Sequence, residues 1–155
     1  MKKWVWWAWL IAPLVPVLIF VVVAFALQPG REEQTVEQFE ADRATLEQIA
    51  LQVLEQGSTW EIETPNHWRG MNLYRGECPS VEFEFQGSGF ASETTYWGVT
   101  YVPCDHTMYM KCFRDMGWET QEKTETGTVF FEPEGDNTCY VKKLDDCWYY
   151  YEMSF

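Results

Sequence analysis

The sequence predicts an α+β fold: an N-terminal transmembrane helix, then one amphipathic helix packed on an antiparallel sheet of about five to seven strands. Three observations lead there. An uncharged apolar run extends from Trp4 to Leu27, a helically spaced apolar stripe runs from Phe39 to Leu54, and short alternating runs follow Gly57. They divide the chain into residues 1–30, a cytoplasmic stub and membrane anchor, and residues 31–155, one extracytoplasmic domain.

Fourteen residues between Trp4 and Leu27 are Leu, Ile, Val or Phe. At ~1.5 Å per residue a helix of this length reaches roughly 36 Å, enough to cross a ~30 Å hydrocarbon core with some tilt. Trp4, Trp6, Trp7 and Trp9 crowd the end suited to the headgroup layer, and Lys2 and Lys3 hold it in the cytoplasm. The expected topology is a single pass with the C-terminal domain outside the cell membrane, the bilayer engaged through residues 4–27. A cleaved signal peptide is the alternative, because Ala24-Phe25-Ala26 fits a small-x-small site and would release the domain after Ala26.

From Arg31 onward there are 24 acidic and nine basic side chains, Lys2 and Lys3 being the only charges before it, so this part carries −15. A field of that sign repels phosphate backbones, and no nucleic-acid partner is expected. The 125 residues suffice for one domain with one core.

Gln28-Pro29-Gly30 ends the span. A helix is predicted over Gln34–Gln56, with Thr35 and Gln38 as a capping box and Gly57 as the C-terminal stop. Phe39, Leu46, Ile49, Ala50, Val53 and Leu54 form its apolar stripe, expected to pack on the sheet. Strands are predicted at residues 60–64, 81–85, 95–102, 128–132, 138–144 and 147–152. Val81-Glu-Phe-Glu-Phe85 alternates strictly, apolar on one face and Glu on the other, and Gly87-Ser-Gly89 reads as the loop joining it to the next strand. Pro133-Glu-Gly-Asp-Asn137 reads as a turn.

The cysteines are Cys78, Cys104, Cys112, Cys139 and Cys147. In an exported domain disulfides persist, and two pairs share the spacing C-x7-C. Five cysteines allow fifteen ways to form two bridges, and the shared spacing favours Cys104 with Cys112 and Cys139 with Cys147, leaving Cys78 single, with the pairing itself open. Structural zinc sites use pairs two to four residues apart, so zinc is not expected. His67 and His106 are the only histidines, and His106 beside Cys104 is weak support for a nucleophilic dyad. G-x-S-x-G, H-E-x-x-H, Walker A, C-x-x-C and EF-hand patterns are absent. Glu132, Glu134, Asp136 and Asn137 offer oxygens to calcium but read as turn chemistry. No catalytic residue, metal or cofactor is assigned.

Outside the span lie five Trp, eight Tyr and eight Phe. Along the last strand Trp148 and Tyr150 face one way, Tyr149 and Tyr151 the other. Trp97, Tyr101, Trp148 and Tyr150 are the candidate aromatic binding surface, able to stack on sugars or grip a peptide. Residues 95–103 (Thr-Tyr-Trp-Gly-Val-Thr-Tyr-Val-Pro) and the C-terminal pattern from Pro133 through Cys139-Tyr and Trp148-Tyr-Tyr-Tyr-Glu to Phe155 resemble small membrane-anchored proteins of Gram-positive, clostridial-type bacteria. That resemblance implies location and fold, and no activity. The expected function is a non-enzymatic, membrane-tethered interaction module with an envelope protein or glycan partner. A cell-envelope hydrolase using paired carboxylates is the alternative.

Overall fold

The computed structural model describes residues 30–90, 93–110 and 120–155. The predicted span at 4–27 and Cys112 lie outside these. Among the described residues no helix is long and apolar enough to cross a membrane. Arg31–Phe155 is one compact unit.

Helix α1 runs Arg31–Gln56, one turn earlier than expected, because Thr35 is not its cap. The Thr35 hydroxyl donates to the Arg31 carbonyl at 2.7 Å, inside the first turn, and the side chain is fully buried. The predicted stop does hold: Gly57 adopts φ 63° and its N–H donates to Val53 O at 2.8 Å.

Seven strands follow: β1 (Gly70–Tyr74), β2 (Ser80–Phe90), β3 (Glu93–Tyr101), β4 (Thr120–Lys123), β5 (Thr128–Phe131), β6 (Thr138–Asp145) and β7 (Trp148–Ser154). They form one antiparallel sheet in the order β1-β2-β3-β7-β6-β5-β4. Two of these, β1 and β4, were not foreseen. The predicted strand at residues 60–64 is instead a connection, broken where Glu61 takes φ 66° ahead of Pro65. Gly87-Ser-Gly89 is no loop either: these residues pair with Tyr96, Thr95 and Thr94, lengthening the β2–β3 hairpin.

The ladder assigns each side chain to a face. Val81 and Phe83, Val99 and Tyr101, and Trp148 look toward α1 and meet Phe39, Leu46, Ala50 and Val53. Ile49 and Leu54 pack at the margin of this cluster. Trp148 lies at its centre, with ring centroids 5.0 Å from Phe39, 6.0 Å from Phe83 and 5.0 Å from Tyr101. Burying one such side chain contributes roughly 1.5–3 kcal/mol, so this face contributes much of the stability. Its few polar groups are paired: Trp68 Nε1 donates to Asp42 at 2.9 Å, and Lys142 meets Glu32 at 2.5 Å. The opposite face carries a second cluster, with Val102, Met110, Phe130, Cys139, Val141, Tyr149, Tyr151 and Met153.

Candidate functional site

The bonding of the cysteines departs from the spacing argument. Cys104 bonds to Cys78, not Cys112, with Cα atoms 6.2 Å apart. Cys78 precedes β2 and Cys104 follows β3, so the hairpin brings together two residues 26 apart. Cys139 and Cys147 are free thiols. Cys139 pairs with Met153 at the open end of the β6–β7 hairpin, while Cys147 occupies its turn at φ 65°. Six residues of strand separate Cys139 from Asp145, roughly 20 Å at ~3.4 Å per residue, far beyond the ~7 Å Cα limit of a disulfide. The Cys104–His106 dyad is likewise excluded, because Cys104 has no free sulfur. His106 Nδ1 instead accepts from Met108 N at 3.2 Å and caps the short 3-10 turn Thr107–Tyr109.

The expected aromatic surface is interior. Trp97, Trp148 and Tyr150 are 5%, 1% and 0% exposed, and Tyr101 is half-buried against Trp148. Their alternation with Tyr149 and Tyr151 is as expected, yet both sets are buried, because α1 covers one face and residues from β5, β6 and the 102–110 segment pack on the other. Glu132 accepts from Asn137 Nδ2 at 2.8 Å within the 133–137 turn.

Away from α1 the sheet holds a group of polar residues that strand alternation had assigned to solvent. Glu82 and Glu84 on β2, Thr100 on β3 and Tyr151 on β7 share this face, the ladder joining Glu82 to Thr100 and Glu84 through Gly98 to Tyr151. Gly98 has a structural reason to lack a side chain. A Cβ there would lie 2.0 Å from Phe83 O, where the β2 bulge between Glu84 and Gln86 presses on β3.

A pocket of about 240 Å³ opens here, lined by Asn72, Glu82, Glu84, Tyr96 and Tyr151, with Met153 and Phe155 alongside. Glu82 is only 4% exposed, and its Oε1 accepts from Asn72 Nδ2 and Tyr74 OH, each at 3.3 Å. Arg69 Nη1 approaches Glu84 Oε1 to 3.2 Å as an ion pair without hydrogen-bond alignment. Tyr151 is 1% exposed, and its hydroxyl has no hydrogen-bond partner among the described residues. The same holds for Thr100 Oγ1. Leaving one such group unsatisfied costs about 1–3 kcal/mol. Burial pushes the Tyr151 phenol well above its ordinary pKa, with the Glu82 and Glu84 charges adding to the shift. It is therefore a neutral hydroxyl able to donate.

A second polar junction lies at the turn end of the β6–β7 hairpin. Asp105 accepts from Lys143 Nζ at 2.5 Å, from Tyr149 OH at 2.8 Å and from Cys147 N at 3.0 Å. These bonds, Lys143 first, hold the Asp105 carboxyl down at about 2. Every group is satisfied, so this is a clamp and not a site. Burial first, then Asp105 and Asp146, raises the Cys147 thiol, which makes it a poor nucleophile. Among the described residues no group of three or more His, Cys, Asp or Glu could hold a metal ion.

The sequence does carry a signal for this buried polar group. Trp148-Tyr-Tyr-Tyr151 is apolar on both faces, the pattern of a strand covered on both sides, and the Glu face of β2, two strands away across β3, shares that cover. No protein-family model, no curated protein and no solved structure matches this chain.

Proposed function

We propose that residues 31–155 are a non-enzymatic binding module, held outside the cell membrane by residues 4–27, and that its ligand enters the β2–β3–β7 pocket. The Tyr151 hydroxyl carries this reading: it is buried, without a partner among the described residues, and sits against the pocket beside two carboxylates. Natural proteins rarely leave such a group unsatisfied, so it calls for a partner that the described residues do not supply. The export half rests on the uncharged leader and its flanking lysines. It is supported by the Cys78–Cys104 bond, since disulfides persist in oxidising compartments. An envelope protein or glycan is the partner class in keeping with that location.

Two carboxylates on one strand face also suit the alternative, an envelope hydrolase. Glu82, however, accepts from Asn72 and Tyr74, and Glu84 pairs with Arg69. Both are arranged to hold a group in place. Hydrolysis of an envelope glycan that disappears in Glu82→Gln and Glu84→Gln would move the assignment to the enzyme.

The test is a thermal-shift screen of the full chain in detergent against small polar molecules, repeated with Met153→Trp to fill the pocket. Compounds that raise Tm in the wild type and not in the filled variant support the reading. Shifts that survive filling, or none at all, overturn it. Protease added to intact cells checks the orientation, and N-terminal sequencing separates the anchor from cleavage after Ala26.

A further inference from the structure

We infer that the group received by the β2–β3–β7 pocket is a small primary ammonium with an oxygen acceptor beside it, an inference that rests on this pocket being the binding site. Charge selects the sign. Glu82 and Glu84 line the space, and the part of the chain from Arg31 onward carries −15, so anions are repelled and cations concentrated. A carboxylate gains most from a charged N–H donor. The molecule already illustrates this preference: the Arg69 guanidinium, 60% exposed, leans in to 3.2 Å from Glu84 Oε1.

Size and donor count exclude the other cations. About 240 Å³ is below the roughly 300–1,000 Å³ of pockets for drug-sized ligands, so the group is compact. Calcium draws on about 6–8 oxygen ligands, and among the described residues no group of three or more His, Cys, Asp or Glu could hold a metal ion. A quaternary ammonium brings charge without N–H groups and leaves the carboxylate lone pairs unserved.

Tyr151 supplies the remaining requirement. Its hydroxyl is neutral, buried and without a partner among the described residues, so it can donate to an oxygen on the ligand. An ammonium held beside Glu82 and Glu84 with a hydroxyl on the adjacent carbon serves Glu84 Oε1 and the Tyr151 hydroxyl at once, the two pocket atoms without a hydrogen bond among the described residues. Amino alcohols and amino sugars share this chemistry. Because Arg69 contacts the same carboxylate oxygen, an incoming ammonium displaces it toward solvent.

The test is calorimetric titration of the full chain in detergent with ethanolamine, propylammonium, tetramethylammonium, ethylene glycol and calcium. Ethanolamine is expected to bind with one site, and propylammonium about fivefold more weakly for want of the oxygen. Tetramethylammonium, ethylene glycol and calcium are expected to give no saturable heat. Tyr151→Phe should abolish the preference of ethanolamine over propylammonium while leaving propylammonium affinity unchanged. Glu84→Gln should weaken both about tenfold, and Arg69→Ala should tighten both about threefold.

Equal binding of tetramethylammonium and propylammonium would reduce the effect to diffuse charge and overturn the inference. So would an ethanolamine preference that survives Tyr151→Phe, or saturable calcium binding. Ethylene glycol binding that depends on Tyr151 would sink the ligand class while leaving the pocket as the site. Glucosamine and its β-linked dimer divide the sources: a dimer that binds as well as the monomer indicates a glycan, and a monomer-only response indicates a free amine.

Discussion

The two faces of the sheet are made from the same strands and do different work. Toward α1 the rings of Phe39, Phe83, Tyr101 and Trp148 interlock, and the polar neighbours Trp68 and Asp42 satisfy each other. On the other face an equally buried set includes Tyr151 and Thr100, whose hydroxyls have no partner among the described residues. Burial alone therefore does not distinguish a core from a site. Satisfaction of the polar atoms does. One face is finished by the chain itself, while the other stays incomplete in a way that a ligand can remedy.

The contrast breaks most readily at Trp148. Trp148→Ala should cost about 3–5 kcal/mol by denaturant unfolding, since it removes the centre of the α1-facing cluster. A loss below about 1 kcal/mol would mean that face is not the stabilising one. Next in size is the sulfur bridge. Cys78→Ser with Cys104→Ser should cost about 3.5 kcal/mol, as the chain-entropy model gives for a loop closed over 26 residues. Tm in the presence and absence of reductant reads the same quantity on the wild type.

Tyr151→Phe sharpens the comparison by changing sign. Removing a buried, unpartnered hydroxyl should stabilise the protein by about 1 kcal/mol, whereas an unfilled cut such as Tyr150→Phe, which loses the 3.0 Å bond from its hydroxyl to Glu152, should destabilise it by a similar amount. Paired chemical denaturation of the two variants checks this, and a destabilised Tyr151→Phe would show that the hydroxyl has a partner. The smallest effect is acidic. Asp105 is held from its ordinary 3.8 down to about 2, so its contribution is complete above about pH 4 and fades as the pH falls toward 2. Asp105→Asn should flatten the stability profile across that window, lowering stability modestly at neutral pH, where the charge contributes in full, and leaving it unchanged near pH 2.

The helix was legible because its apolar residues recur with one period and a glycine ends it, both local signals. The sheet was legible wherever alternation was strong, as in β2 and β7. What escaped had non-local causes. The β1 strand, Gly-Met-Asn-Leu-Tyr, is short and mixed, and exists because β2 offers it an edge. The span predicted at 60–64 had the right alternation and no neighbour to pair with. Cys104 found Cys78 through the hairpin register and not through spacing. Glu82 and Glu84 looked like a solvated face because alternation reports two faces without saying what covers each. The pocket depends on that cover, which is assembled from residues as far apart in the chain as Asn72 and Phe155.

The bond between Cys78 and Cys104 has a mechanical corollary. With the chain reversal near Phe90 at one end and the sulfurs at the other, β2 and β3 form a closed covalent hoop carrying Glu82, Glu84, Tyr96 and Gly98. Such a hoop cannot be peeled open from either end, so breathing of the pocket must occur at its flanks, where β1 or β7 lifts away. Amides of the hoop should then be the slowest in the sheet to exchange, and chemical reduction should quicken them ahead of those between β6 and β7.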